Sequence, residues 1–359
     1  MTSLSGMAYG AGPKLHGERL LFVATKEGGS QIHAMSGDGS SLRVLTSGPG
    51  GNVEPAWSPD GARVLFTSQR DGNMEVYVMD ADGSNVKRLT NERRPDNAAS
   101  WSPDGRRIAF RSYRDRHANL FVMNADGSGL QRLTDTSYDK GPPIWSPDGR
   151  QLVFLGFVDG KGGRIRSQVL VVSADGTGLK DLTSVLSDDP KSSPSWSPDG
   201  GKILFAAEKN YSINIYTMNA DGTNPVRLTD NRYINSMPVW SPDGKRIAFV
   251  SGRGEDKLDR AHGDIFVMNA DGTGVTNVTR HPKHDDTPAW AADGSGLYFL
   301  SLRDGISQIY RMSLSGGEAM RLSAGGSQDQ APVPFLASNR TAGKSAVAPL
   351  TSIIAANSK

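Results

Sequence analysis

"NVEPAWSPDGARVLFTS", residues 52–68, decides the reading of this chain, because its centre returns again and again. Trp57-Ser58-Pro59-Asp60-Gly61 recurs at Trp101, Trp145, Trp196 and Trp240, and in weaker form as Trp290-Ala291-Ala292-Asp293-Gly294, which uses all six tryptophans. Ser-Pro-Asp-Gly suits a type I turn: proline is pre-set for the second position, aspartate bonds the local backbone and glycine closes. A catalytic constellation occurs once per chain. A motif used six times is a building element, with the tryptophan as packing surface between neighbouring sheets.

Working outward, successive tryptophans are 44, 44, 51, 44 and 50 residues apart. That period belongs to propeller blades. After each turn come an alternating strand ("ARVLFTS", "RRIAFRS"), a second ending in Asp-Gly ("EVYVMDADG", "NLFVMNADG") and a short one ending in Leu-Thr. With "EPAW" as the innermost, each unit has four antiparallel strands. The same offsets place Phe22, His33, Asp38 and Thr46 in an N-terminal unit, with Pro13 at the tryptophan position, and Phe299, Tyr310, Ser315 and Ser323 in a C-terminal one, with Pro334 at the next tryptophan position. The expected fold is therefore all-β: a seven-bladed propeller of four-stranded blades over residues 13–335. The C-terminal segment "DQAPVP" supplies the innermost strand of the first blade, flanked by an extension at 1–12 and a flexible tail at 336–359. Prolines two residues before the tryptophan position, from Pro55 to Pro332, suit a strand with one edge on the central channel.

Composition narrows the function classes. The formal charge is +2 with Lys and Arg scattered, which argues against a nucleic-acid partner. Absence of cysteine excludes thiol nucleophiles and zinc–thiolate sites. No apolar run reaches membrane-spanning length, so the chain is not expected to be an integral membrane protein. The opening residues lack a signal-peptide pattern, which fits either a cytoplasmic protein or a mature extracytoplasmic form. Asp80-Ala81-Asp82-Gly83-Ser84 lacks the closing glutamate of a calcium loop, "AGKS" at 342–345 is half a phosphate loop, and neither G-x-S-x-G nor H-E-x-x-H occurs.

The pattern "PAWSPDGxxIxFxSxRDGxxxIYVMNADGxxxxRLT" resembles the repeat of the TolB-like β-propeller family over residues 13 to about 335. The chain departs from TolB itself in showing no preceding α/β domain and seven blades rather than six. The resemblance implies a periplasmic scaffold that binds envelope proteins. Related repeats also form the gating propellers of prolyl oligopeptidases and resemble those of some polysaccharide lyases.

Strand alternation puts the uniform Asp-Gly turns on one face and the variable loops on the other. The insertions in "GFVDGKGGRIRSQ" and "SGRGEDKLDRAHGD" both fall on the variable face. Binding residues concentrate on such loops. Four residues past each second-strand aromatic stand Lys26, Arg70, Arg114, Val158, Lys209, Arg253 and Arg303, a nearly complete cationic ring. Acidic residues follow directly at Glu27, Asp71, Asp115, Asp159 and Asp304, so the ring reads either as structural ion pairing or as an anion site. Lying past the strand ends, these positions are expected to tolerate charge reversal without loss of fold. His284, Asp285 and Asp286 approach the channel mouth, with Asp329 in the Asp285 position one blade on. No cofactor is expected. With His281 and His262 the cluster has the ligand types for a divalent cation as the alternative. The expected function is a non-catalytic scaffold, monomeric or a subunit of a larger complex, binding a protein or peptide on the variable face. The alternative is a lyase or hydrolase acting there on an anionic glycan.

Overall fold

The computed structural model describes residues 18–335 except 49, 161–164, 187–188, 211, 253–262 and 324–326. The expected extension at 1–12, Pro13, Arg253, His262 and the tail at 336–359 lie outside the described residues. Among those described, the chain forms seven antiparallel sheets and no helix. Blades 2 to 7 each take consecutive strands; in blade 2 these are 52–57, 63–68, 75–80 and 87–88, from channel to rim.

Blade 1 joins both ends of the described chain. Its innermost strand is Gln328–Pro334, and its other three are 19–26, 29–36 and 43–44. Leu20 pairs with Pro334 and Ala24 with Asp329, so the C-terminal segment closes the ring as expected. Arg19 adds a latch: its guanidinium lies 4.7 Å from the Trp57 ring and 4.2 Å from Phe335, and Nη1 donates to the Gly61 carbonyl at 2.8 Å. On the blade 7 side Tyr298 donates its hydroxyl to Glu18 at 2.6 Å, and the Ala292 N–H donates to the same carboxylate. Glu18 thus supports the one turn that lacks the serine.

The repeated turn works as its residues dictate. Ser58 Oγ donates to Asp60 Oδ1 and accepts the Arg63 N–H, while the Gly61 N–H closes the turn on the Ser58 carbonyl. Ser102–Asp104, Ser146–Asp148, Ser197–Asp199 and Ser241–Asp243 repeat the hydroxyl–carboxylate bond. Seven apolar clusters fill the gaps between neighbouring sheets, such as Leu65, Val76 and Val78 of blade 2 against Trp101, Ile108 and Phe110 of blade 3. Trp145, Trp196 and Trp290 donate their indole N–H to a carbonyl on the innermost strand of the preceding blade.

The innermost strands carry a feature no sequence pattern announces. Three residues before the tryptophan position, Glu54, Ala98, Ser193, Met237, Thr287 and Ala331 adopt φ between 26° and 55°, each at a register shift. These are β-bulges built without glycine. Blade 4 has Pro142 there, whose ring fixes φ near −65°. The bulge cannot form, and the innermost strand splits into Asp139–Lys140 and Ile144–Trp145.

Candidate functional site

The second-to-third and fourth-to-first loops open on one end of the propeller, and there the cationic positions are arranged by a repeated device. Arg70, Arg114 and Arg303 fold back over the stacked aromatic pairs of their own blades, 4.9, 4.4 and 4.6 Å from the rings of Tyr77, Phe121 and Tyr310. In each, Nε donates to the last serine of the second strand, Ser68, Ser112 or Ser301. In each, Nη2 reaches a buried residue that opens the innermost strand: Asn52 at 2.9 Å, Asp96 at 3.0 Å and Asp285 at 3.0 Å. These heads are part of the packing, so their location past the strand ends does not free them from the fold. The carboxylates that follow them in sequence pair elsewhere: Asp71 with Arg88, Asp115 with Arg132 and Asp304 with Arg321, all on outermost strands.

The break at Val158 has a partner explanation. Blade 4 opens its innermost strand with Lys140, fully buried, bonded to the Tyr138 carbonyl and lying over the Tyr138 ring. Burial pulls its pKa down to about 8. A cation already stands there, and the facing position is apolar. Blade 5 likewise has Lys191 on the inside, and its Lys209 is exposed at the tip of a long hairpin. Lys26 is exposed and acts electrostatically on Asp329.

Asp329 itself is 2% exposed, and among the described residues one of its oxygens, Oδ2, has no hydrogen-bond partner. Burial pushes its pKa up to about 6, and does the same to Asp96 against the pull of Arg114. Asp285, buried and paired with Arg303, is turned away from ligand duty. His284 sets Nε2 3.2 Å from Asp286 Oδ2 and accepts the Gly263 N–H on Nδ1 at 2.8 Å. That pattern is the neutral tautomer with its proton on Nε2, and the bond to Asp286 holds its pKa above the ordinary imidazole value. Both nitrogens are committed, so a cation would have to break one of these bonds to be coordinated here. Among the described residues no three His, Asp or Glu side chains gather as a metal group.

Two residues that the sequence patterns did not single out also face this region. Glu54, on the blade 2 bulge, accepts from Thr67 Oγ1 and from the Ala98 N–H of blade 3, each at 2.7 Å. Arg111 is buried on blade 3. Each occurs once at its repeat position, and that singularity is the one signal in the sequence that marks them.

The profile of the TolB beta propeller domain matches residues 2–185, 177–258 and 257–342, nearly the whole chain. The chain belongs to the TolB β-propeller family. No curated protein sequence matches it significantly. Among solved structures it is similar to a putative TolB from Agrobacterium tumefaciens, with TM-score 0.51, 21% identity, and coverage of 73% of this chain and 89% of that one. It is also similar to an oligogalacturonate lyase from Vibrio parahaemolyticus, with TM-score 0.64, 17% identity, and coverage of 87% and 86%. A puromycin-hydrolysing peptidase from Mycobacterium tuberculosis gives TM-score 0.66 and 14% identity; this chain is covered over 87% and the peptidase over 53%. At these identities the likeness is one of fold. As a TolB-family propeller the chain shares its architecture with TolB proteins, a lyase and peptidases alike, and function must be argued from the site.

Proposed function

We propose that this TolB-family propeller is a non-catalytic scaffold that binds a protein or peptide partner across its variable face and channel mouth. The observation that carries the reading is the division of labour between the two ends. One end repeats the same Ser-Pro-Asp-Gly and Ala-Asp-Gly turns blade after blade, bonded internally. The other is where the chain lengthens between second and third strands, as in the hairpin 151–173, whose strands run on beyond those of the other blades. The internal commitment of His284, Asp285 and Asp286 supports binding over turnover. Placement outside the cytoplasm, beside envelope proteins, follows from the family resemblance and belongs to the same proposal. No helix of the described residues is long and apolar enough to cross a membrane.

A second reading rests on one observation: the His284–Asp286 pair is a hydrogen-bonded acid–base couple with a raised imidazole pKa. It suits an enzyme acting on an anionic glycan. Screening acidic oligosaccharides and peptide substrates for cleavage, with and without divalent cations, separates the two. The scaffold reading expects no turnover. Cleavage that His284→Ala abolishes overturns it.

A further inference from the structure

Blade 3 carries one buried side chain that its six counterparts lack. Arg111 stands one residue past Phe110 on the strand Arg107–Ser112. The same register position holds Val23, Thr67, Leu155, Ala206, Val250 and Leu300 in the other blades. Arg111 is 8% exposed and lies on the side of the sheet shared by Ala109, which packs against blade 4. Its Nε donates to Asn97 Oδ1 at 2.9 Å, and its guanidinium lies 5.3 Å from the Tyr113 ring. Both partners are neutral, and among the described residues no carboxylate pairs with it. A guanidinium largely withdrawn from water without an anion is a net cost to the fold. Retaining one where apolar residues or Thr serve elsewhere points to a use outside the fold.

The surroundings indicate what it meets. The Tyr113 N–H donates to the Pro95 carbonyl at 2.9 Å, which ties the second-to-third loop to the loop that enters the innermost strand. Arg93, Arg94 and Arg116 are exposed in these two loops. The local carboxylates are already taken: Glu92 and Asp96 by Arg114, Asp115 by Arg132. Arg94 donates only to the Asp115 carbonyl, and among the described residues Arg93, Arg94 and Arg116 form no ion pair. An exposed cationic edge thus leads to a single buried guanidinium at the variable-face end of the gap between blades 3 and 4.

We propose that Arg111 is a carboxylate-binding residue of a subsite for an acidic peptide segment, with Arg93, Arg94 and Arg116 drawing that segment in. The proposal rests on the reading of the variable face as the binding face and adds the chemistry of its partner. Arg suits the role because its planar fork binds a carboxylate through two parallel hydrogen bonds. A Glu or Asp side chain carries its carboxylate on a flexible stem that can enter the gap between two sheets. A uronate carboxylate is fixed directly to a sugar ring and cannot reach as far.

The test measures binding of a labelled oligoglutamate peptide to the full chain, with oligoglutamine and tri-galacturonate as comparisons. Oligoglutamate should bind and oligoglutamine should not. Arg111→Met should weaken oligoglutamate roughly tenfold or more while the melting temperature stays level or rises, because no internal ion pair is lost. Arg111→Lys, which keeps the charge, should also weaken it by losing the fork. That variant carries the test if the Met variant does not fold. Arg94→Glu should reduce the salt dependence of binding. Three results overturn the proposal: oligoglutamate binding no better than oligoglutamine, a lowered melting temperature in Arg111→Met with unchanged affinity, or Arg111-dependent binding of tri-galacturonate as tight as that of the peptide. A partner that crosslinks to the variable face yet binds Arg111→Met normally removes the subsite and leaves the face reading standing.

Discussion

Asp329 shows how a buried carboxylate makes the stability of this fold depend on pH. Its pKa of about 6 in the folded chain exceeds the ordinary aspartate value of about 3.9. Between those values the folded state holds a proton that the unfolded state has released, so stability falls as pH rises through the window. Asp329→Asn should therefore raise the melting temperature near about pH 7.5 and leave it nearly unchanged near about pH 4, an effect bounded by roughly 2–3 kcal/mol. The turn aspartates act in the opposite sense. The Ser58 hydroxyl holds Asp60 below its usual range, a stabilisation present above the unfolded pKa and lost as pH falls through the lower folded value. A melting-temperature profile that rises steadily from pH 4 to 8, with Asp329→Asn less stable throughout, contradicts this account. The arginine caps make a second prediction: Arg303→Met strands the fully buried Asp285 and should cost roughly 3–5 kcal/mol in urea denaturation, most of it recovered by adding Asp285→Asn. The cationic ring was legible in sequence, but its partners were not. Asp285 and Arg303 are 18 residues apart, and only the pairing of innermost and second strands brings them together.

At the level of strands and turns, closure is the step on which stability depends. Truncation before residue 328 removes the innermost strand of blade 1 together with Phe335, exposing the edge of strand 19–26 and freeing Arg19. It should lower the melting temperature sharply, whereas deletion of 341–359 should change it little. Phe335→Ala alone should cost about 1–3 kcal/mol through lost aromatic and cation–π contact around Arg19. If the two truncations melt alike, this segment does not close the ring. The closing strand was readable because its proline and aspartate keep the register of Pro288 and Asp285. The latch was not, since Phe335 stands where the repeat has serine and follows no repeated pattern. The bulges were equally hidden, because Glu54, Ala98, Met237 and their counterparts are residues that rarely take positive φ and share no side-chain character.

For the whole molecule, seven blades give two ends of different chemistry on one ring of sheets. Blade number, strand order and the identity of the variable end follow from the 44-residue period and the alternation of strand direction, which is why they were legible from the turns alone. The partner was not legible, because recognition on a propeller comes from single departures such as Arg111 rather than from the repeat. The most direct measurement is photocrosslinking in the cells that make the protein, with a photoreactive residue placed singly at Ser184, Arg232 and Lys283 on the variable face, and at Asp82, Asp126 and Asp221 on the opposite one. The account predicts that the first three positions capture the same partner and the last three capture none. Capture confined to the Asp82, Asp126 and Asp221 side would contradict it.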